Sequence, residues 1–164
     1  MTSHALTPSR LWKRLSGDRR MQAARSFWRD EEATNEQLQA VLLISQQKKF
    51  RAKTVVGLDE ERKARHLATL AALPDALAAR ALVAYHLAEQ RPLMGAFLDA
   101  LGIAHENGVI QAETIAPDPE KLKPAATALA VQFPADDVSL YFNTLLCQDP
   151  ETWKLLADVP ERKD

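Results

Sequence analysis

Proline punctuates this chain at the points where helices are due to begin. Thr7-Pro8, Pro74-Asp75, Asp118-Pro119-Glu120 and Asp149-Pro150-Glu151 each set a proline beside a capping or acidic side chain, ahead of an apolar pattern of helical period. In a first helical turn proline has no hydrogen bond to lose and its fixed φ favours the helix, whereas in a central strand it would break the ladder. Nine prolines, five glycines and almost no β-branched runs in 164 residues therefore predict an all-α chain.

The pattern resolves into about eight or nine helices. Thr7 caps the first, which stops near Ser16-Gly17, and a second over 18–30 places Met21, Ala24, Phe27 and Trp28 on one face. The longest is expected over 34–56. Thr34 with Gln37 reads as a capping box, Leu38, Val41, Leu42, Ser45, Ala52 and Val56 as the buried stripe, and Gly57-Leu58 as a left-handed stop. Asp59, Glu60 and Glu61 open the next helix, expected to lie antiparallel to its predecessor. A helix over 76–90 is apolar nearly all round and is expected at the centre of the core. Helices over 93–101 and 119–132 follow. A further one, capped by Asp136, carries Val138, Tyr141, Phe142, Leu145 and Leu146, and a last one carries Trp153 and Leu156. The expected architecture is a single irregular, orthogonal multi-helix bundle, one helical domain over 1–164 with a frayed tail at 160–164. No linker divides the chain, and the likeness of Leu73-Pro74-Asp75 to Phe133-Pro134-Ala135-Asp136 is too short to make a repeat.

Charge is sorted along the chain. Residues 1–82 hold fifteen Lys/Arg against nine Asp/Glu, a net of +6, and residues 83–164 hold six against thirteen, a net of −7. Asymmetry of this kind points at partners. Lys13, Arg14, Arg19, Arg20, Arg25 and Arg29 fall on the first two helices, and Lys48, Lys49, Arg51 and Lys53 on the third, interleaved with Trp12, Phe27, Trp28 and Phe50. Cations with aromatic faces between them suit RNA or single-stranded DNA, unless the aromatics turn to the core and the cations form a solvated shell. Phe50 lies off the apolar stripe and separates these readings. The same charges also suit a protein partner or a second copy, an acidic surface meeting a basic one.

Chemistry is thinly supported. Between 102 and 118 runs the longest stretch without helical pattern, with Asn107-Gly108 placed for a tight turn and short hairpin. His105 beside Glu106 offers an acid–base pair, but without a nucleophile it reads more simply as a turn whose Ile103, Val109 and Ile110 tuck onto the core. His66, His86 and His105 are scattered and no metal-binding spacing links them, so no metal and no cofactor is expected. The lone Cys147 excludes an internal disulfide and reads as a small core residue. The N-terminus lacks the pattern of a signal peptide, and the apolar stretch 67–88 is too interrupted to span a bilayer, so a soluble cytoplasmic protein without membrane contact is expected. The reading is a non-enzymatic protein–protein interaction or assembly module. The alternative is an RNA- or single-stranded-DNA-binding protein using the basic patch of the first three helices, and a third is an enzyme with a site beside 102–118.

Overall fold

The computed structural model describes residues 6–158, and the tail expected to fray at 160–164 lies outside the described residues. Among the described residues the protein is all-α, with ten α-helices, a closing 3-10 turn and one two-stranded hairpin. The chain forms two compact units, Met1–Ala88 and Glu89–Asp164. The boundary falls in the last turn of a helix, with no flexible spacer to mark it.

Unit 1 contains α1 (Pro8–Arg14), α2 (Gly17–Arg29), α3 (Thr34–Lys48), α4 (Ala52–Val56), α5 (Glu60–Ala68) and α6 (Asp75–Glu89). Local chemistry sets the starts. Thr7 Oγ1 accepts from the backbone N–H of Arg10 at 3.2 Å, Ser16 Oγ from Arg19 at 3.1 Å and Asp59 Oδ1 from Arg62 at 2.8 Å. Trp12, Phe27, Ile44, Val55, Leu67, Leu77 and Leu82 are fully buried, each large side chain contributing about 1.5–3 kcal/mol of transfer free energy. Helix α6 buries Leu77, Ala78, Ala81, Leu82, Ala84, Tyr85 and His86, positions that cover most of its circumference. Three polar links hold it: Ser9 N–H donates to Asp75 Oδ1 at 3.0 Å, Arg19 Nη1 to the Tyr85 hydroxyl at 2.6 Å, and Arg80 pairs with Asp30 at 3.3 Å.

The segment 34–57 departs from expectation in four ways. The long helix is broken after Lys48, because Lys49 turns left-handed (φ 59°) and both Lys49 and Phe50 send their N–H groups back to the Ser45 carbonyl. Gly57 ends α4 in the ordinary right-handed region (φ −79°), so the left-handed stop lies eight residues earlier than expected and uses lysine. The capping box does not form. Ala33 holds the cap position, and Gln37 Nε2 donates instead to the carbonyls of Phe27 and Asp30, each at 2.9 Å, closing the end of α2. Finally, α3 buries Ala40, Val41 and Ile44 and leaves Leu38 and Leu42 outside. Apolar residues at 38 and 41–44 cover more of the helix than one neighbour can bury, and the small Ala40 allows the closer approach. Helix α5 packs chiefly on α2 and less on α3, contrary to the expected pairing of consecutive helices.

Unit 2 contains α7 (Arg91–Leu101), a hairpin of β1 (His105–Glu106) and β2 (Val109–Ile110), then α8 (Pro119–Gln132), α9 (Ala135–Gln148), α10 (Pro150–Trp153) and the 3-10 turn Lys154–Asp158. Its centre is aromatic. The Phe97 ring lies 5.7 Å from Tyr141 edge-on, 5.0 Å from Phe142 and 6.0 Å from Trp153. Burial holds the Tyr141 hydroxyl well above the ordinary phenol range. Gly102 ends α7 in the left-handed region (φ 71°). Asp118 caps α8 through the Glu120 N–H at 2.9 Å. Asp136, expected as a cap, lies inside the first turn of α9, where its charge suits the helix dipole; Pro134 occupies the cap.

The hairpin forms as its dipeptide requires. Asn107 and Gly108 both have positive φ (50° and 89°), the backbone of a two-residue turn, and pair His105 with Ile110 and Glu106 with Val109. The turn rests on the start of α7: Arg91 Nη1 donates to the Asn107 carbonyl at 2.9 Å, and a Cβ on Gly108 would lie 3.0 Å from Met94 Cβ.

Candidate functional site

The boundary between the two units is also the boundary between the two charges. No Lys, Arg, Asp or Glu lies between 83 and 88, so residues 1–88 keep the net of +6 and residues 89–164 the net of −7. Each unit therefore carries a net charge of one sign. Within unit 1 the packing then divides the cations into two groups.

The first group is neutralised or turned inward. Arg25 makes a two-pronged bond to Glu61, with contacts of 2.6 and 2.9 Å, and Arg29 pairs with Glu60. The hydrogen bonds from Arg25 hold the Glu61 carboxyl below the usual carboxylate range; the nearby charges of Arg25, Arg65 and Arg29 add to this against partial desolvation. Arg80 pairs with Asp30, and Arg62 reaches Asp59 at 3.7 Å. Arg19 lies against Tyr85, its guanidinium 5.6 Å from the ring centroid, and Arg20 is half-buried. Lys63 sits 5.5 Å over the Trp28 ring. Of the interleaved aromatics on the first two helices, Trp12 and Phe27 are buried and Trp28 is half-buried, so none of these three is a free stacking face.

The second group stays in solvent. Among the described residues, Lys13 and Arg14, in the last turn of α1, have no carboxylate at ion-pair distance, and the same is true of Lys49, Arg51 and Lys53 around α4. Lys48 donates to the Thr69 hydroxyl at 3.2 Å. Phe50, 39% exposed, lies in sequence among Lys48, Lys49, Arg51 and Lys53, with its ring 5.3 Å from His66, edge-on. Burial lowers the His66 pKa below the ordinary value, and the charges of Lys48 and Arg65 lower it further, which reports the positive potential of this corner.

The helices on either side of Phe50 also expose apolar side chains that the sequence pattern assigned to the core. Leu38 is 58% exposed, Leu42 62% and Val56 55%. Leu38 and Leu42, four residues apart, form one stripe on α3 that continues through Ser45 to Lys49, roughly 16 Å of helix. The excess of apolar residues at 38–44 was the signal for this exposed stripe; the pattern alone does not say which side wins.

In unit 2, His105 has both ring nitrogens engaged. Nε2 meets Asp99 Oδ1 at 2.7 Å, and Nδ1 accepts the backbone N–H of Gly108 at 3.0 Å. That N–H fixes the neutral ring with its proton on Nε2, donated to Asp99. The ring packs under the hairpin near Gly95, while Glu106 is exposed and faces solvent. This arrangement braces the turn and leaves neither nitrogen placed to move a substrate proton. Among the described residues no group of three or more His, Cys, Asp or Glu is placed to hold a metal, and no helix is long and apolar enough to cross a membrane. Compared with known proteins, the chain matches no family model, no curated protein and no solved structure.

Proposed function

We propose that this protein is a non-enzymatic interaction module whose basic unit docks an acidic, amphipathic segment of a protein partner on the α3–α4 face. One observation carries the reading: Lys49, Arg51 and Lys53 have no carboxylate at ion-pair distance among the described residues, and the two helices that flank them, α3 and α4, leave Leu38, Leu42 and Val56 exposed. Large apolar side chains rimmed by unneutralised charge of one sign fit a helix with leucines four apart and carboxylates at its edges. Covering each leucine adds about 1.5 kcal/mol or more, and the cations set register and association rate.

The exposed Phe50 among cations favours a second reading, single-stranded nucleic acid. It ranks below the first because phosphates gain nothing from Leu38, Leu42 and Val56. Fluorescence anisotropy separates the two with a labelled Glu/Leu amphipathic peptide and a labelled oligothymidylate. The peptide is expected to bind, more weakly as salt rises, and to lose affinity with Leu42→Glu or Lys53→Glu. An oligonucleotide that binds with a steep salt slope while the peptide does not would replace this reading with the second. Binding of neither would overturn both.

A further inference from the structure

We propose that copies of this chain associate head to tail, the α3–α4 face of one copy receiving the acidic unit 2 of the next. The inference rests on the docking reading above and names its partner. Three observations support it.

The first is the coincidence of charge and architecture. Unit 1 carries +6 and unit 2 carries −7, so contact between unlike units is attractive and contact between like units repulsive. Pairing a unit with its own copy sets like charge against like charge.

The second is that unit 2 offers the complementary chemistry. Val131, 74% exposed, has the highest exposure of the large apolar side chains described. Pro124, Ala128 and Val131 follow at helical spacing on one side of α8 and all three are exposed. Five residues beyond Val131, Asp136 is exposed in the first turn of α9 with no cation at ion-pair distance among the described residues. Unit 2 thus leaves small apolar surface on α8 and a carboxylate at the start of α9 exposed, as unit 1 leaves Leu42, Lys49 and Lys53.

The third is that the two faces belong to different units. Such contacts are heterologous, so they close into a ring or continue as a chain, and each copy contributes one face of each kind.

Sedimentation velocity with complementary variants tests this. A head variant, Leu42→Gln with Lys53→Gln, and a tail variant, Val131→Gln with Asp136→Asn, change only exposed positions and create no new charge pair, and circular dichroism verifies that each remains folded. The native chain is expected to gain mass with concentration at low salt and to revert to monomer at high salt. Each variant alone stays monomeric, with association weakened at least about tenfold. Mixed in equal amounts they form a dimer that does not grow, because the intact tail of one fits the intact head of the other. A native chain that is monomeric at every concentration in low salt overturns the inference, as does association that survives both variants or a mixture that stays monomeric. If the native chain still binds the acidic peptide while failing to self-associate, the docking reading stands and only the choice of partner is wrong. Loss of both removes both.

Discussion

Replacing Gln37 by glutamate separates two accounts of how α2 joins α3. A capping box accepts Glu as readily as Gln, since either side chain takes a hydrogen bond from a backbone N–H. The observed geometry does not. Here the amide donates, to Phe27 O and Asp30 O at 2.9 Å each, and a carboxylate would bring acceptor against acceptor. Two neutral hydrogen bonds of about 1 kcal/mol each make Gln37→Ala cost roughly 2 kcal/mol. The cost stays near that value because Asp30 N–H and Ala33 N–H also donate to these two carbonyls. Glutamate loses both bonds and sets a carboxylate against the two carbonyls at the C-terminal end of α2, a cost of ~0.3–1 kcal/mol that its favourable place in the first turn of α3 offsets in part. The expected order of stability is wild type, then Ala, then Glu, with Glu about 2–3 kcal/mol below wild type by urea titration of the helical signal. A Gln37→Glu protein as stable as wild type would refute the donor assignment and restore the capping box.

Other positions give sharper single readings. Gly108→Ala is expected to lower stability by about 2–4 kcal/mol in thermal melts, since φ is 89° and the new Cβ meets Met94 at 3.0 Å. Lys49→Gly is expected to raise it by about 0.5–1 kcal/mol in the same assay, because the left-handed stop of α3 then carries no Cβ. Glu61 titrates below the unfolded carboxylate value, so its contribution is complete above that value and is lost as pH falls through the folded one. Arg25→Gln should therefore destabilise at neutral pH and converge with wild type in acid, seen in paired melts across pH; an equal gap at both ends would contradict the pairing. His66 titrates below its ordinary value, and Lys48→Gln should move its NMR midpoint upward by relieving repulsion. An unmoved midpoint would deny that the corner is strongly positive.

Helix starts were legible because the signals are local: Thr7, Asp59, Asp118 and Asp149 each accept from a backbone N–H in their own first turn. The Asn107-Gly108 hairpin was readable for the same reason. The stop of α7 at Gly102 and the buried stripe of α9 were legible as well, but the stop and the buried face of α3 were not. A lysine in the left-handed region costs about 1–2 kcal/mol locally, and only the surrounding contacts of Ser45 and Phe50 hold it there, so no residue type announced it. The buried face of α3 depended on which neighbour arrived, because apolar residues lie on both flanks. At the candidate site the cations were visible but their fates were not: neutralisation of Arg25 and Arg29 depends on α5, more than thirty residues away. His105 shows the same limit, since Glu106 beside it in sequence faces solvent while Asp99, six residues back, holds the ring.

A single local rule applied to α5 accounts for how the basic unit distributes its charge. Carboxylates favour a helix N-terminus and cations a C-terminus, and α5 follows this with Glu60 and Glu61 in its first turn and Arg65 and His66 in its last. The helix spans only about 13 Å, yet its two ends meet different parts of the unit. Its acidic end lies against α2 and neutralises Arg25 and Arg29. Its basic end lies beside Lys48 and Phe50, where Lys48 reaches Thr69 and the Phe50 ring meets His66, so like charge accumulates. The repulsion built up there is unfavourable for the isolated fold. An acidic surface of the kind proposed above would relieve it. The polarity of one short helix thus divides a stretch of net positive charge into a neutral edge that stabilises the unit and a positive edge where cations stand together.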